Sequence, residues 1–231
     1  MYYNDVHARF SKQYWHRKPS PNSETLPVPP AAVVRPPSPL ITEDSAPGMI
    51  LTRLLSEAID AISAAPPASS SPAEISSYNE FIKILDWKIR NVTIPDTASG
   101  SNPDKPLILE FYRLAMLVYL DRASKTQSGH RAKTQKQIGR AFTIIPKLGS
   151  CARQFPIFII GCEARNDEQR AMVLDLLERT VKCVDSRKFT HTRLLLQAMW
   201  AQEDLAVGDR MDYGERLGSV ISCCRIMPTF V

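Results

Sequence analysis

The residue types that most often carry chemistry in this 231-residue chain are its five cysteines and four histidines, which are the common ligands of zinc. Structural zinc needs four ligands, and these usually come in pairs two to five residues apart. Here the successive cysteines lie 11, 21, 40 and 1 residues apart and the histidines are isolated. We therefore expect no metal site, and the cysteines suit small apolar side chains in a core better. The residues concerned are Cys151, Cys162, Cys183, Cys223, Cys224, His7, His16, His130 and His191.

Cys162 is the best candidate for a catalytic nucleophile, with His130 or His191 as its base. A catalytic thiol needs an electropositive and partly exposed setting. The six residues before Gly161 are apolar, and burial among apolar groups raises the pKa of a thiol. The glycines are also isolated, so neither of the common Gly-rich phosphate-binding motifs occurs. We predict no catalytic residue, no cofactor and no enzymatic activity.

Positive charge is concentrated in residues 122–153, which contain eight Lys or Arg residues and no acid, in a chain whose net charge is +5. A local excess of this kind attracts phosphate backbones. It is spread out, however, and it lacks an exposed aromatic side chain on which a base would stack. We predict that the densest part, from Lys125 to Lys136, is a solvated loop between helices. A patch for an acidic partner or for nuclear import is the second interpretation, and a DNA contact is the third.

The elements that must position these residues have helical periodicity from Gly48 onward. Apolar residues recur at steps of three and four, and no stretch alternates for long enough to indicate a strand. The segment from Leu107 to Ala123 is apolar nearly all round, which predicts a central helix buried on every side. Asn166, with Gln169 three residues later, predicts the start of another helix, and Ser76 or Ser77 is the expected N-cap of a third. The pattern predicts an all-α fold of about seven to eight packed helices over residues 48–231.

Residues 1–47 have a different composition. Nine of the 18 prolines fall between Pro19 and Pro47, and proline both removes a backbone donor and disfavours helix in the residue before it. We predict a disordered segment. The aromatic cluster in front of these prolines is expected to be a loosely ordered terminus, while docking on the helical body and a partner-binding arm are the alternatives. The cluster consists of Tyr2, Tyr3, Phe10, Tyr14 and Trp15.

The longest apolar run, from Phe155 to Cys162, is far shorter than the roughly 20 residues that cross a bilayer. The first fifteen residues mix aromatic and charged side chains and do not resemble a signal peptide. We expect an intracellular protein with free thiols and no contact with a membrane.

Two charged residues lie within apolar helices and need partners, because an unpaired buried charge is too costly to persist. Arg113 has Glu110 three residues before it, and Glu163 has Arg170 further along the chain. A pair between Arg113 and Glu163 across two helices is the more interesting alternative. We expect the change Glu163→Ala to loosen the fold more than the loss of an exposed Glu.

Several strings of residues resemble one known family in their order and spacing. Residues 109–120, LEFYRLAMLVYL, are similar to the "YR-A-L-YL" helix of the fungal-specific transcription factor domain, the helical regulatory region found behind binuclear zinc-cluster DNA-binding domains. Residues 155–164, FPIFIIGCEA, followed by EQR at 168–170, resemble the most recognisable stretch of that family. Residues 194–204 resemble its later "LL--W---D" helix, and residues 76–95, with Trp87, resemble its "L--W" helix.

This resemblance implies a regulator of transcription in the nucleus of a fungus, whose domain at residues 48–231 mediates regulation, self-association or response to an effector. It implies protein partners, namely a second copy, related regulators or the transcription machinery, and no catalysis. The positions that match family motifs are expected to be structural or regulatory. They are Tyr112, Arg113, Pro156, Gly161, Cys162, Glu163, Ala164, Arg170, Trp200 and Asp204.

The sequence departs from the family in one respect. The zinc cluster that binds DNA needs six closely spaced cysteines near the N-terminus, whereas the first cysteine here is Cys151. We therefore expect a truncated zinc-cluster regulator, a shortened paralogue or an isolated regulatory module, and we do not expect this chain alone to bind DNA directly and sequence-specifically. The alternative is a helical scaffold or dimerisation protein that modulates full-length zinc-cluster regulators.

Overall fold

The computed structural model describes residues 2–15, 47–67, 69–94, 104–124, 131–183, 187–205 and 213–223. Within these ranges the chain forms nine α-helices, one short 3₁₀ helix at Ile145–Lys147 and no strand. The all-α prediction is confirmed. The helices are α1 (Tyr2–Tyr14), α2 (Pro47–Ser63), α3 (Pro72–Arg90), α4 (Lys105–Ala123), α5 (Arg131–Ile144), α6 (Gln154–Gly161), α7 (Asp167–Cys183), α8 (Arg187–Leu205) and α9 (Tyr213–Ser222).

Helix α4 is the centre of the fold. It contacts α2, α3, α5, α6 and α9, and every residue from Phe111 to Leu120 except Arg113 is buried. A helix that lacks a polar face can bury its apolar surface only when neighbours surround it. The predicted central helix is therefore confirmed, and the other helices are arranged around it.

Helix α6 is the second buried element, and all eight of its residues are buried. Its sequence, QFPIFIIG, has one polar side chain and no charge. Pro156 lies in the first turn, where the backbone N–H groups have no partner within the helix. The missing N–H of proline therefore costs no helical hydrogen bond. The helix packs against α4, α7 and α8, and its C-terminal end carries the most recognisable family motif.

Helix α1 packs against α2 and α9, with Val6, Phe10 and Tyr14 buried on one side. The ring of Phe10 meets the rings of Tyr119 and Phe155 edge to face, at centroid distances of 5.3 and 5.2 Å. The expected disorder of residues 1–47 is thus wrong for residues 2–14, because side chains four residues apart form an apolar stripe that the body covers. The docked arrangement was one of the alternatives. Residues 16–46 lie outside the described residues.

Two helix starts test the predicted capping signals. Asn166 caps α7 as predicted, because its Oδ1 accepts a hydrogen bond from the backbone N–H of Gln169 at 2.9 Å. The predicted N-cap of α3 at Ser76 or Ser77 is wrong, because the N-cap is Ser71, five or six residues earlier. Ser71 and Glu74 form a reciprocal capping box at that point, followed by a proline in the first helical turn.

The basic stretch is helical from Arg131 to Lys147, which corrects the predicted loop for residues 131–136. Residues 125–130 lie outside the described part, but α5 begins at Arg131 because Thr134 and Ile138 are buried on one side of it. Lys133 pairs with Asp86 at 3.1 Å, and Arg140 pairs with Glu110 at 2.9 Å. Acids on neighbouring helices therefore neutralise part of this charge. Among the described helices, none is long and apolar enough to span a bilayer.

Candidate functional site: the motif cluster at the end of helix α6

Seven of the ten predicted site residues come together where α6 ends, and we call this set the motif cluster. It contains Gly161, Cys162, Glu163, Ala164, Arg170, Trp200 and Asp204. The chain leaves α6 in a tight turn, in which the N–H of Glu163 donates to the carbonyl of Ile160 at 3.0 Å and the N–H of Ala164 donates to that of Gly161 at 3.2 Å. All four residues of this turn are buried.

Gly161 is required because α6 and α8 approach each other closely at this point. A Cβ atom added at Gly161 would lie 2.7 Å from Cδ2 of Leu196, well inside van der Waals contact. The side chain of Leu196 is itself fully buried and has little room to move. The carbonyl of Gly161 also accepts a buried hydrogen bond from Nε1 of Trp200 at 2.9 Å. A glycine here thus fixes the distance between the two helices.

Glu163 forms the central ion pair of the cluster, and its partner is Arg122 near the end of α4. Nε and Nη2 of Arg122 donate to the two carboxylate oxygens at 3.1 and 2.9 Å, a bidentate arrangement. Burial lowers the pKa of Arg122, but the hydrogen bonds and charge of Glu163 outweigh this and raise the pKa above its ordinary value. The side chain of Glu163 is only 1% exposed. The pair therefore ties the end of α6 to α4.

The predicted partners of Glu163 are wrong. Arg113 and Arg122 are nine residues apart on α4, which at about 100° per residue places them on opposite faces of the helix. Only Arg122 faces the end of α6, and Arg113 pairs instead with Glu110, as the local alternative predicted. Arg170 does not pair with Glu163 either, because it binds Asp204 on α8.

The ion pairs continue from Glu163 to α8 and α9. Arg165 lies 3.7 Å from Glu163 and also pairs with Glu203 on α8. Glu203 in turn lies 3.7 Å from Arg216 on α9. The guanidinium of Arg216 lies 5.6 Å from the centroid of the Tyr213 ring. Charges at the ends of four helices thus neutralise one another in a connected series.

Arg170, Trp200 and Asp204 form the outer side of the cluster. Both terminal nitrogens of Arg170 donate to the carboxylate of Asp204, at 2.8 and 2.7 Å. The hydrogen bond from Arg170 lowers the pKa of Asp204. The guanidinium carbon lies 5.6 Å from the centroid of the Trp200 ring, a cation–π distance. Since Trp200 also binds Gly161, these residues connect α6, α7 and α8.

The other three predicted residues lie elsewhere. Tyr112 is about 15 Å along α4 from Arg122, since a helix rises 1.5 Å per residue. Its Oη lies 3.1 Å from Nε2 of the buried His7 on α1. Nη1 of Arg113 donates to the carbonyls of Arg90 and Val92, at 3.2 and 3.1 Å, and so caps the end of α3. Pro156 shares α6 with Gly161 but lies at the opposite end of that helix.

Cys162 does not have the setting of a nucleophile. The residue is fully buried, and burial raises the pKa of its thiol to about 12. His191, one of the two bases considered, is exposed on α8, and His130 lies outside the described residues. No group of three or more His, Cys, Asp or Glu residues suited to a metal ion occurs in the described ranges. The free cysteines there are the buried Cys151 and Cys162 and the exposed Cys183 and Cys223.

The sequence did not reveal several residues of the site. Arg122, Arg165, Glu203 and Arg216 complete the ion pairs, and His7 covers Tyr112. The sequence feature that could have identified Arg122 as a site residue is its position near the end of a mostly apolar helix, where a charge needs a partner. The signal for Glu203 is weaker, because only the folded chain brings α8 beside Arg165.

The motif residues of this helical array are paired within the protein and hold its helices together. The chain belongs to the fungal specific transcription factor domain family, whose profile matches residues 51–227. Over 234 aligned residues it is 42% identical to the transcription factor iacI of Pestalotiopsis fici, with 100% of this chain and 57% of that protein covered. The chain thus spans little more than half the length of that relative. No solved structure matches the chain. The family expected from the sequence motifs is confirmed.

Proposed function

We propose that this chain regulates transcription in the nucleus of a fungus by contacting other proteins through its helical domain. The observation that carries the proposal is that a member of a transcription factor family has its charged motif residues paired within the protein, Glu163 with Arg122 and Arg170 with Asp204. Paired and buried residues position helices. We therefore expect the exposed surface of those helices, and not the motif residues, to make the regulatory contacts.

The same pairing supports a function without catalysis. A reaction needs a reactive group in contact with substrate, and the one nucleophile candidate of the motif cluster is a buried, protonated thiol. The charges of the cluster neutralise each other within the protein. We therefore assign the ten motif residues a structural role and assign no catalytic residue.

Direct, specific DNA binding by this chain alone is not part of the proposal. The described basic residues of α5 include Lys133 and Arg140, which already pair with acids on α3 and α4. Binding that neutralises phosphates weakens steeply with salt. We expect the purified chain to bind random DNA only weakly and to lose that binding between about 50 and 200 mM salt. Sequence-specific binding that survives the higher salt would contradict this part.

A second candidate function is a helical scaffold or dimerisation protein that modulates full-length zinc-cluster regulators. The observation that favours it is a row of exposed apolar side chains on α3. Such a protein would alter transcription only where a full-length regulator is present, whereas the first candidate would act by itself once brought to a promoter.

The test joins residues 1–231 to an unrelated DNA-binding module and measures a reporter gene placed behind that module's site. We expect a change in reporter transcription relative to the module alone. A matched control is Lys182→Ala, which alters an exposed residue paired only along α7 with Glu178 and should leave the change intact. An unchanged reporter, together with unchanged transcripts in a strain lacking the gene, would contradict the proposed function.

A further inference from the structure

Helix α3 has two apolar faces, and within the described part of the chain only the inner one is buried against the body. Ile82, Leu85 and Ile89 are buried on the inner face against the body. Phe81, Ile84 and Trp87 on the outer side are 44, 48 and 64% exposed. We call these three residues the outer row of α3. Single exposed apolar residues are ordinary, but three large ones on adjacent turns of one helix are typical of an interaction site.

The outer row forms one ridge along the helix, because Phe81, Ile84 and Trp87 are three residues apart and side chains at that spacing are neighbours on a helix surface. A ridge of this kind packs into the groove of another helix. It spans about two turns, since a turn contains 3.6 residues, and polar residues lie at both of its ends. The natural partner is therefore another helix of similar length.

The charges next to the row identify which helix fits. Glu80 and Lys88 lie four residues before and four residues after Ile84. When two copies of α3 pair in antiparallel fashion about Ile84, Glu80 of each copy reaches the level of Lys88 of the other, and Phe81 reaches the level of Trp87. A parallel pair would instead set Glu80 beside Glu80 and Lys88 beside Lys88. The surface is thus complementary to itself in one orientation, which is the requirement for a two-fold interface.

We propose that the outer row of α3 binds α3 of a second copy of this chain, antiparallel and with Ile84 at the two-fold axis. The inference deepens the proposed function and rests on it for its role, since the dimer would bring two regulatory domains to one promoter. One helix pair is a small interface, so the association is expected to be in the micromolar range.

The first test is sedimentation of the full chain over a range of concentrations. We expect a monomer–dimer equilibrium that Trp87→Ala weakens about 30-fold, because a central Trp commonly dominates a small interface. Leu194→Ala is the matched control, since Leu194 is 58% exposed in the middle of α8 and away from the row. It should leave the equilibrium unchanged. A wild-type chain that stays monomeric, or equal weakening by both variants, would overturn the proposal.

The second test uses charge exchange to examine the orientation. Lys88 also pairs with Glu57 of its own copy at 3.2 Å, so Lys88→Glu is made together with Glu57→Gln. Each of Glu80→Lys and Lys88→Glu alone should weaken dimers about tenfold, since both symmetric pairs become like charges. An equal mixture of the two proteins should restore dimers, because every Glu then faces a Lys. A mixture no better than its components would overturn the antiparallel arrangement.

The two proposals fail in different ways. A monomeric wild type that still changes the tethered reporter would overturn the dimer and leave the proposed function in place. A wild type that forms the α3 dimer but changes no transcript would overturn the function and leave the dimer in place.

Discussion

The side chains of the motif cluster are mostly buried and paired with one another or with neighbouring residues, whereas those of the outer row of α3 are exposed. In the cluster, Glu163 and Arg170 each have a bidentate partner at about 3 Å, and the apolar groups are buried. On α3, Phe81 and Trp87 face solvent beside charges that suit a second copy. The comparison teaches that the residues by which this family is recognised hold the helices in place. The surface that we propose contacts a second copy lies on α3, a helix whose motif is much weaker.

The largest effect should come from the central ion pair of the cluster. Glu163→Ala leaves the half-buried Arg122 without its partner, and such a loss costs about 2–4 kcal/mol of unfolding free energy. Thermal unfolding should show a midpoint several degrees lower. Glu178→Ala is the control, because Glu178 is exposed and pairs only with Lys182 one turn away. Equal midpoints for the two variants would refute a structural role for Glu163.

A smaller effect is expected where α6 approaches α8. Gly161→Ala places a methyl group against the buried Leu196, and such overpacking costs about 1–3 kcal/mol. Gly139→Ala makes the same change inside α5, where nothing lies within 4 Å of the new Cβ. It should stabilise the protein by about 0.5–1 kcal/mol, because alanine favours helix more than glycine does. Denaturant unfolding of the two variants should therefore shift in opposite directions, and a shift in the same direction would contradict the close contact.

Trp200→Phe should be milder still. The variant keeps an aromatic ring near Arg170 but loses the buried hydrogen bond from Nε1 to the carbonyl of Gly161. The carbonyl keeps its hydrogen bond from the N–H of Ala164, so the loss of the second bond should cost about 1 kcal/mol. The free energy of unfolding in urea measures this loss. Adding Arg170→Ala to the Trp200→Phe variant should lower the free energy of unfolding only a little further, because the two residues act as one unit. Fully additive losses would contradict this coupling.

The smallest effect on stability belongs to the outer row of α3. Trp87 is 64% exposed, so Trp87→Ala removes few contacts within the chain, and its thermal midpoint at low concentration should match that of the wild type. The circular dichroism spectrum should also be unchanged. A drop as large as that of Trp200→Phe would mean that Trp87 belongs to the core instead.

Local signals in the sequence predicted much of the fold. An apolar stretch without a polar face can only be a buried helix, and this located α4; Asn166 and Gln169 located the start of α7. The docking of α1 was not predicted as the leading outcome, because its few apolar residues gain stability from residues far along the chain, among them Tyr119 and Phe155, which are more than 100 residues away. The sequence thus indicates helices well and indicates poorly which of them cover one another.

For the candidate site, the motifs named the residues but not their partners. Arg113 and Arg122 belong to the same helix, and only its rotation about its axis, which the surrounding helices determine, decides which of them meets Glu163. In the same way, Arg170 has acids close by in the sequence but binds Asp204, 34 residues further along. Pairings across helices depend on packing, which composition and periodicity do not record.

The most direct test of the account measures the tethered reporter with Trp87→Ala in the chain, at equal protein abundance and beside the control Leu194→Ala. We expect Trp87→Ala to lose much of the change in transcription and Leu194→Ala to keep it, because the proposed dimer through the outer row of α3 brings a second regulatory domain to the promoter. Full reporter activity in the Trp87→Ala chain, folded as the wild type, would contradict it.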